Sequence, residues 1–193
     1  MSSNIINEHP VCRVCNNADV TFLCSTENEH SYSRVLNHYK CNNCGSVFVG
    51  NKVKSEELVV AYGTLTNDNQ NNYYKEIEIE NTKKMNTAIV HLEASIGKKS
   101  EIIDIGTGNG LFLKLLNEAG YTNISAHEIK GLDLSKIKKY AKQIHQDFDY
   151  SSIPSRKFDA ATMLDVLEHV LDPQFLINSV SRILKEDGII YFH

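Results

Sequence analysis

Glu101-Ile-Ile-Asp-Ile-Gly-Thr-Gly-Asn-Gly110 is the stretch whose reading decides the fold. Ile102, Ile103 and Ile105 are β-branched and bounded by glycine, the composition of a strand buried in a parallel sheet. Leu111, Phe112, Leu115, Leu116 and Ala119 then recur at helical spacing as far as Gly120, so the three alternating glycines occupy a strand-to-helix turn. Gly106, Gly108 and Gly110 suit such a turn because they allow unusual dihedrals and let a ligand lie against the backbone. The spacing is selective. A dinucleotide fingerprint requires G-x-G-x-x-G, but counting from Gly106 places Leu111 at the last position and counting from Gly108 places Leu113 there. A phosphate loop ending in Gly-Lys-Ser/Thr is absent as well.

Working outward, Asn123 to Ile129 reads as a second short strand ending in Glu128, whose carboxylate can accept from both hydroxyls of a ribose. Lys157 to Asp165 contains a third apolar segment, closed by Asp165. Asp172-Pro173 sets an N-cap followed by proline, and Leu176, Val180, Ile183 and Leu184 form the buried stripe of the helix that follows. Asp187-Gly188 is expected to end that helix before a strand at Ile189 to Phe192. Strands and helices alternate from residue 101 onwards, which predicts an α/β fold with a doubly wound parallel sheet.

Together, Ile-Asp-Ile-Gly-Thr-Gly-Asn-Gly, the strand-end Glu128, Phe158-Asp159 and Asp165-Val-Leu-Glu-His-Val170 resemble a class I S-adenosylmethionine-dependent methyltransferase with a Rossmann-like sheet. The N-terminal part resembles the subgroup that carries a four-cysteine zinc module, which includes C-methyltransferases acting on nucleotide-linked deoxysugars. The resemblance implies S-adenosylmethionine as cofactor, held by Asp104, Gly106, Gly108, Gly110, Glu128 and Asp165. Asp147 with Phe148 is implied at the adenine, and Asp149 is the alternative. Tyr62, Tyr73 and Tyr74 are implied near the cofactor or substrate mouth, or else they are packing aromatics. A class I sheet has seven strands, whereas this chain reaches His193 in what should be its fifth. The expectation is a fragment of a longer protein that lacks the last two strands, with the alternative that something else covers an open edge.

The metal module follows from spacing alone. Cys12-Arg-Val-Cys15 and Cys41-Asn-Asn-Cys44-Gly45 are two C-x-x-C pairs, each able to direct two thiolates at one tetrahedral ion. The 25 residues between the pairs exceed the usual ribbon spacing and require a long hairpin or insertion. Two disulfides are the competing reading, but no secretory signal is visible and Cys24 is left over. His30 and His38 could replace a cysteine. With four sulfur ligands the expected Zn has no open position, so its task is to hold the module folded.

Charge and composition bound the partners. The 193 residues carry a net charge of −4, and the first 62 hold five Lys or Arg against six Asp or Glu. That balance weighs against a phosphate-backbone binder. No apolar run approaches a membrane span, and a cytoplasmic protein is expected. The expected organisation is a zinc-binding module over 1–54, a helical linker with a mobile loop over 55–97, and an S-adenosylmethionine-binding domain over 98–193. Within the linker, Ser55 to Tyr62 reads as a short helix and Asn67 to Asn72 as the polar loop. Met85, Ile89, Leu92 and Ile96 mark an amphipathic helix over about 75–97.

The function implied is methyl transfer to a small molecule, a nucleotide-linked sugar or related metabolite. An RNA methyltransferase using the zinc module for grip and a non-catalytic cofactor-binding scaffold are the alternatives. Glu168 and His169 stand just beyond the strand end that should face the cofactor. His169 is the candidate base because an imidazole titrates near operating pH, with Glu168 beside it; the competing reading has both residues bracing the turn.

Overall fold

The computed structural model describes residues 10–28, 34–51, 67–129, 134–135, 137–147 and 149–193. The chain divides into two compact units, Met1–Thr64 with Leu171–Gln174 and Leu65–Val170 with Phe175–His193.

The first unit is an antiparallel sheet of three strands in the order β1 (Val20–Asn28), β2 (Arg34–Cys41) and β3 (Val47–Val49). Strands β1 and β2 supply the long hairpin that the cysteine spacing demands. Their register runs from Val20 opposite Cys41 to Asn28 opposite Arg34, with a bulge between Phe22 and Cys24. Phe22 meets Tyr39 edge-on at 5.5 Å, and Tyr39 stacks on Phe48 at 6.2 Å, so aromatic pairs join all three strands. Gly50 closes against this cluster, where an added Cβ would come within 2.6 Å of the Tyr39 ring.

The second unit is a five-stranded, wholly parallel sheet in the order β6-β5-β4-β7-β8. The strands are β4 (Ile102–Ile105), β5 (Ile124–His127), β6 (Gln143–His145), β7 (Phe158–Met163) and β8 (Leu184–Phe192). All four residues of β4 are buried, Asp104 among its three isoleucines. Strand alternation sorts the core into two layers. Ile102, Ile124, Ala126 and Ala160 pack with Ala88, Ile89 and Leu92 of α1 (Asn67–Ser95) and with Phe112, Leu113 and Leu116 of α2 (Leu111–Glu118). Ile103, Ile105, Ala161 and Met163 pack on the opposite face with Leu176, Val180 and Ile183 of α3 (Pro173–Ile183). Helices therefore cover both faces, and the doubly wound α/β reading holds. Gly120, at φ +90°, ends α2 where expected, and Tyr121 N–H donates back to Leu116 O at 3.0 Å.

Two local expectations are corrected. The polar run 67–72, expected as a mobile loop, forms the first turns of α1. No Gly or Pro interrupts residues 67–95, so no helix-breaking residue stops the helix from extending back to Asn67. Helix α3 stops at Ile183 rather than at Asp187-Gly188, because Leu184 already pairs with Phe158. The next paired residues are Ala160 and Ile189, so Lys185 to Gly188 bulge out of the strand. Between β5 and β6, residues 135 and 137–140 lie in turns. The short helix read at Ser55 to Tyr62, and Tyr62 itself, lie outside the described residues.

Candidate functional site

Strand order reverses between β4 and β7, and in an open parallel sheet the crevice beyond the carboxyl ends of such strands is where ligands are received. The loop leaving β4 is held there by its own backbone. Gly106 N–H and Thr107 N–H both donate to His127 O, at 2.9 and 3.3 Å, which ties the loop to the end of β5. Gly106, Gly108 and Gly110 have φ of +70°, +54° and +80°. Side chains of the protein also crowd two of them. A Cβ at Gly106 would approach Val166 Cγ2 to 2.7 Å, and one at Gly110 would approach Ile137 Cγ2 to 2.4 Å. These two glycines are thus demanded by packing as well as by the turn.

Two enclosed carboxylates flank the loop. Asp104 is 3% exposed; its Oδ1 accepts from Thr162 Oγ1 and its Oδ2 from Thr107 Oγ1, both at 2.7 Å. Burial pushes its carboxyl up to about 6, with the two hydroxyls opposing and the nearby charge of Glu128 adding to the rise. Glu128 is buried just past the end of β5, where Oε2 accepts Gly108 N–H and Oε1 accepts Ile129 N–H, both at 2.7 Å. Burial raises its pKa also, against those two N–H donors. Thr107 and Thr162 are functional residues that the sequence does not mark: Thr107 lies inside the glycine run, and only the strand register places the β7 hydroxyl of Thr162 beside a β4 acid.

Beyond β5 and β6 a second group of polar residues gathers. His127 is buried, its Nε2 lies 2.7 Å from Asp147 O, and its ring stacks on Tyr150 at 4.3 Å. Burial lowers the pKa of His127. Burial, with the charges of Glu128 and Asp147, pushes the Tyr150 hydroxyl up to about 12. Asp147 accepts from Ser152 Oγ at 2.6 Å and Ser152 N–H at 2.9 Å. Although burial works the other way, these donors hold its carboxyl below the usual range. Asp149 accepts from Ser151 in the same manner. Phe148 lies outside the described residues. Neither His127 nor Tyr150 was singled out in the sequence; the available signal was the histidine preceding the strand-end acid.

On the other side of the strand reversal, Asp165 follows β7 in a left-handed conformation, φ +54°. Its Oδ1 lies 3.3 Å from His193 Nδ1 and 4.0 Å from Lys84 Nζ of α1. These partners belong to α1 and the end of β8 rather than to the glycine loop. Glu168 and His169 lie on a 3-10 turn, Leu167–His169, both more than half exposed, with Oε1 and Nε2 4.0 Å apart.

In the first unit, the sulfurs of Cys12, Cys15, Cys41 and Cys44 lie within 4.8 Å of one another, and all five cysteines are free thiols. Cys12 and Cys44 are 3.7 Å apart and Cys15 and Cys41 3.5 Å. A tetrahedral ion with ligands at 2.3 Å sets the sulfur–sulfur edge at about 3.8 Å. The two turns are near copies. Asn16 N–H donates to Cys12 O and Gly45 N–H to Cys41 O, and both residues have positive φ. Val14 N–H points at Cys12 Sγ and Cys44 N–H at Cys41 Sγ, the donors that a buried thiolate needs. This donor set fits a metal ion. Cys24 is exposed, outside the cluster; His38 lies opposite it on β2, with Nε2 2.8 Å from Thr26 Oγ1. His30 lies outside the described residues.

A model of a methyltransferase domain matches residues 77–193, more than half of the chain. The ubiquinone biosynthesis O-methyltransferase of Actinobacillus pleuropneumoniae serotype 7 (strain AP76) is 27% identical over 134 residues, covering 63% of this chain and 56% of the relative. The chain thus spans about half the length of that curated relative. Among solved structures, a chain of the complex containing the Haloferax volcanii Trm112 methyltransferase activator aligns at a TM-score of 0.55 and 18% identity, over 73% of this chain and 61% of that one. An S-adenosylmethionine-dependent methyltransferase from Thermotoga maritima aligns at 0.50 and 19% identity, over 63% and 56%. At those identities the structural likeness speaks to the fold alone.

Proposed function

The chain belongs to the methyltransferase domain family, and on that footing we propose that it binds S-adenosylmethionine at the ends of β4 and β5 and transfers its methyl group to a small molecule. The observation that carries the reading is the buried Glu128 carboxylate joined to the Gly108 N–H beside three glycines of positive φ. Each carboxylate oxygen keeps a lone pair for a ribose hydroxyl while its N–H bond persists. Gly106 to Gly110 offers backbone to the methionine part, and Asp104 holds that loop through Thr107. Asp147 borders the adenine, and Asp165 stands on the acceptor side, with Glu168 and His169 on the turn that follows it. Bound there, the cofactor supplies a methyl group activated by a sulfonium, so the main task of the protein is alignment and exclusion of water.

Similarity to the ubiquinone biosynthesis O-methyltransferase of Actinobacillus pleuropneumoniae supports an oxygen acceptor. A nucleotide-linked sugar is the finer assignment, supported by the four-cysteine module and by a net charge of −4 that disfavours RNA. In the module, Cys12, Cys15, Cys41 and Cys44 are assigned one zinc in a closed structural site.

Calorimetric titration of the full chain with S-adenosylmethionine, S-adenosylhomocysteine and NADH tests the cofactor. The first two are expected to bind and NADH to give no heat. Glu128→Ala is expected to weaken both by roughly 10- to 100-fold, the loss of hydrogen bonds to a charged acceptor. Binding of NADH with neither of the others would overturn the assignment.

A further inference from the structure

The crevice has two sides. The glycine loop and Glu128 belong to β4 and β5, whereas β7 and β8 end in a different set of groups. There the Asp165 carboxylate meets His193 at 3.3 Å and Lys84 at 4.0 Å, three residues drawn from a loop, a strand end and a helix, with Lys84 81 positions before Asp165 and His193 28 positions after it. Backbone bonds fix the pair independently of the side chains: His193 N–H donates to Met163 O at 3.1 Å, and Asp165 N–H to His193 O at 3.3 Å. Both side chains are about half exposed, so a bound molecule can reach them. An ionised carboxylate only accepts hydrogen bonds, so the imidazole hydrogen in this contact sits on Nδ1. Nε2 is left with its lone pair directed elsewhere. A histidine held in one tautomer by an acid is the arrangement that proton abstraction uses. The Glu168–His169 pair differs, being neighbours on one exposed turn at 4.0 Å.

We propose that His193, oriented by Asp165, is the base that takes the proton of the acceptor hydroxyl, with Lys84 holding the carboxylate from α1. The inference rests on the cofactor reading above. The hydroxyl O–H bond breaks and its proton passes to His193 Nε2, while the oxygen forms the new bond to the methyl carbon. The carbon–sulfur bond breaks with its electron pair left on sulfur, so a sulfonium and a neutral imidazole become a thioether and an imidazolium. His193 is thus a catalytic residue, Asp165 a positioning residue, and Glu168 and His169 brace the turn.

The test uses the full chain and three variants: His193→Gln, Asp165→Asn and His169→Gln. Asparagine tolerates φ +54° as well as aspartate does, so the second leaves the backbone in place. Three readouts are taken: calorimetric affinity for S-adenosylhomocysteine, transfer of label from methyl-tritiated S-adenosylmethionine into a filtered small-metabolite extract, and the 15N spectrum of the His193 ring. His193→Gln is expected to lower transfer by about 100-fold or more with affinity within about twofold. Asp165→Asn should lower transfer too, and His169→Gln by less than about fivefold. The neutral His193 ring should carry its hydrogen on Nδ1 in the wild type and lose that preference in Asp165→Asn. Unchanged transfer in His193→Gln, or a wild-type ring protonated on Nε2, overturns the proposal; the ring spectrum decides it even if no label moves. Failure of the wild type to bind S-adenosylhomocysteine would instead overturn the cofactor reading.

Discussion

Asp104 shows how a single side chain can cost stability and still be retained. An aspartate in an unfolded chain titrates near 3.9, and enclosure pushes this one up to about 6. A raised folded-state value means that folding favours the proton. The stabilisation is fully present below about pH 3.9 and is lost as the pH climbs through about 6. At 1.36 kcal/mol per unit the loss is on the order of 2 to 3 kcal/mol. The cofactor-free protein should therefore lose stability relative to Asp104→Asn between pH 4 and 7, measured by urea denaturation at each pH. A difference that stays level would mean that the two threonine hydroxyls fully offset the burial. Those hydroxyls give the reason for keeping the acid, since through them Asp104 links the glycine loop to β4 and β7.

At the scale of elements, the cysteine turns and the β4–loop–α2 unit were legible because each writes its geometry into a short run of sequence. Two C-x-x-C turns need no tertiary context to direct two thiols each, and three glycines between a β-branched run and a helical stripe have few other uses. The metal reading gives an element-level expectation. Elemental analysis should find about one zinc per chain. Cys12→Ser should release it and melt the β1–β2–β3 sheet, while Cys24→Ser should retain it; the reverse pattern would refute the ligand set. What was not legible depends on distant partners. The polar start of α1 has no apolar stripe to announce it, and β6 contributes one apolar residue in three. The end of α3 is set by pairing of Leu184 with Phe158, and the Asp165–His193 contact by β8 lying alongside β7. Neither is visible in local periodicity.

Across the whole molecule, the order β6-β5-β4-β7-β8 carries the functional argument, because it puts the glycine loop beside Glu128 on one side of the strand reversal and Asp165 beside His193 on the other. The alternation of apolar residues, which sends Ile102 to one face of β4 and Ile103 to the other, made the layered α/β class readable. The division of labour between the two sides of the crevice needed the structure. The most direct measurement is a crystal structure of the full chain with S-adenosylhomocysteine. The ribose hydroxyls should lie within about 3 Å of the Glu128 carboxylate oxygens, with the methionine part over Gly106 to Gly110 and the sulfur directed toward the β7 side. A ligand seated away from Glu128 and the glycine loop would contradict the account.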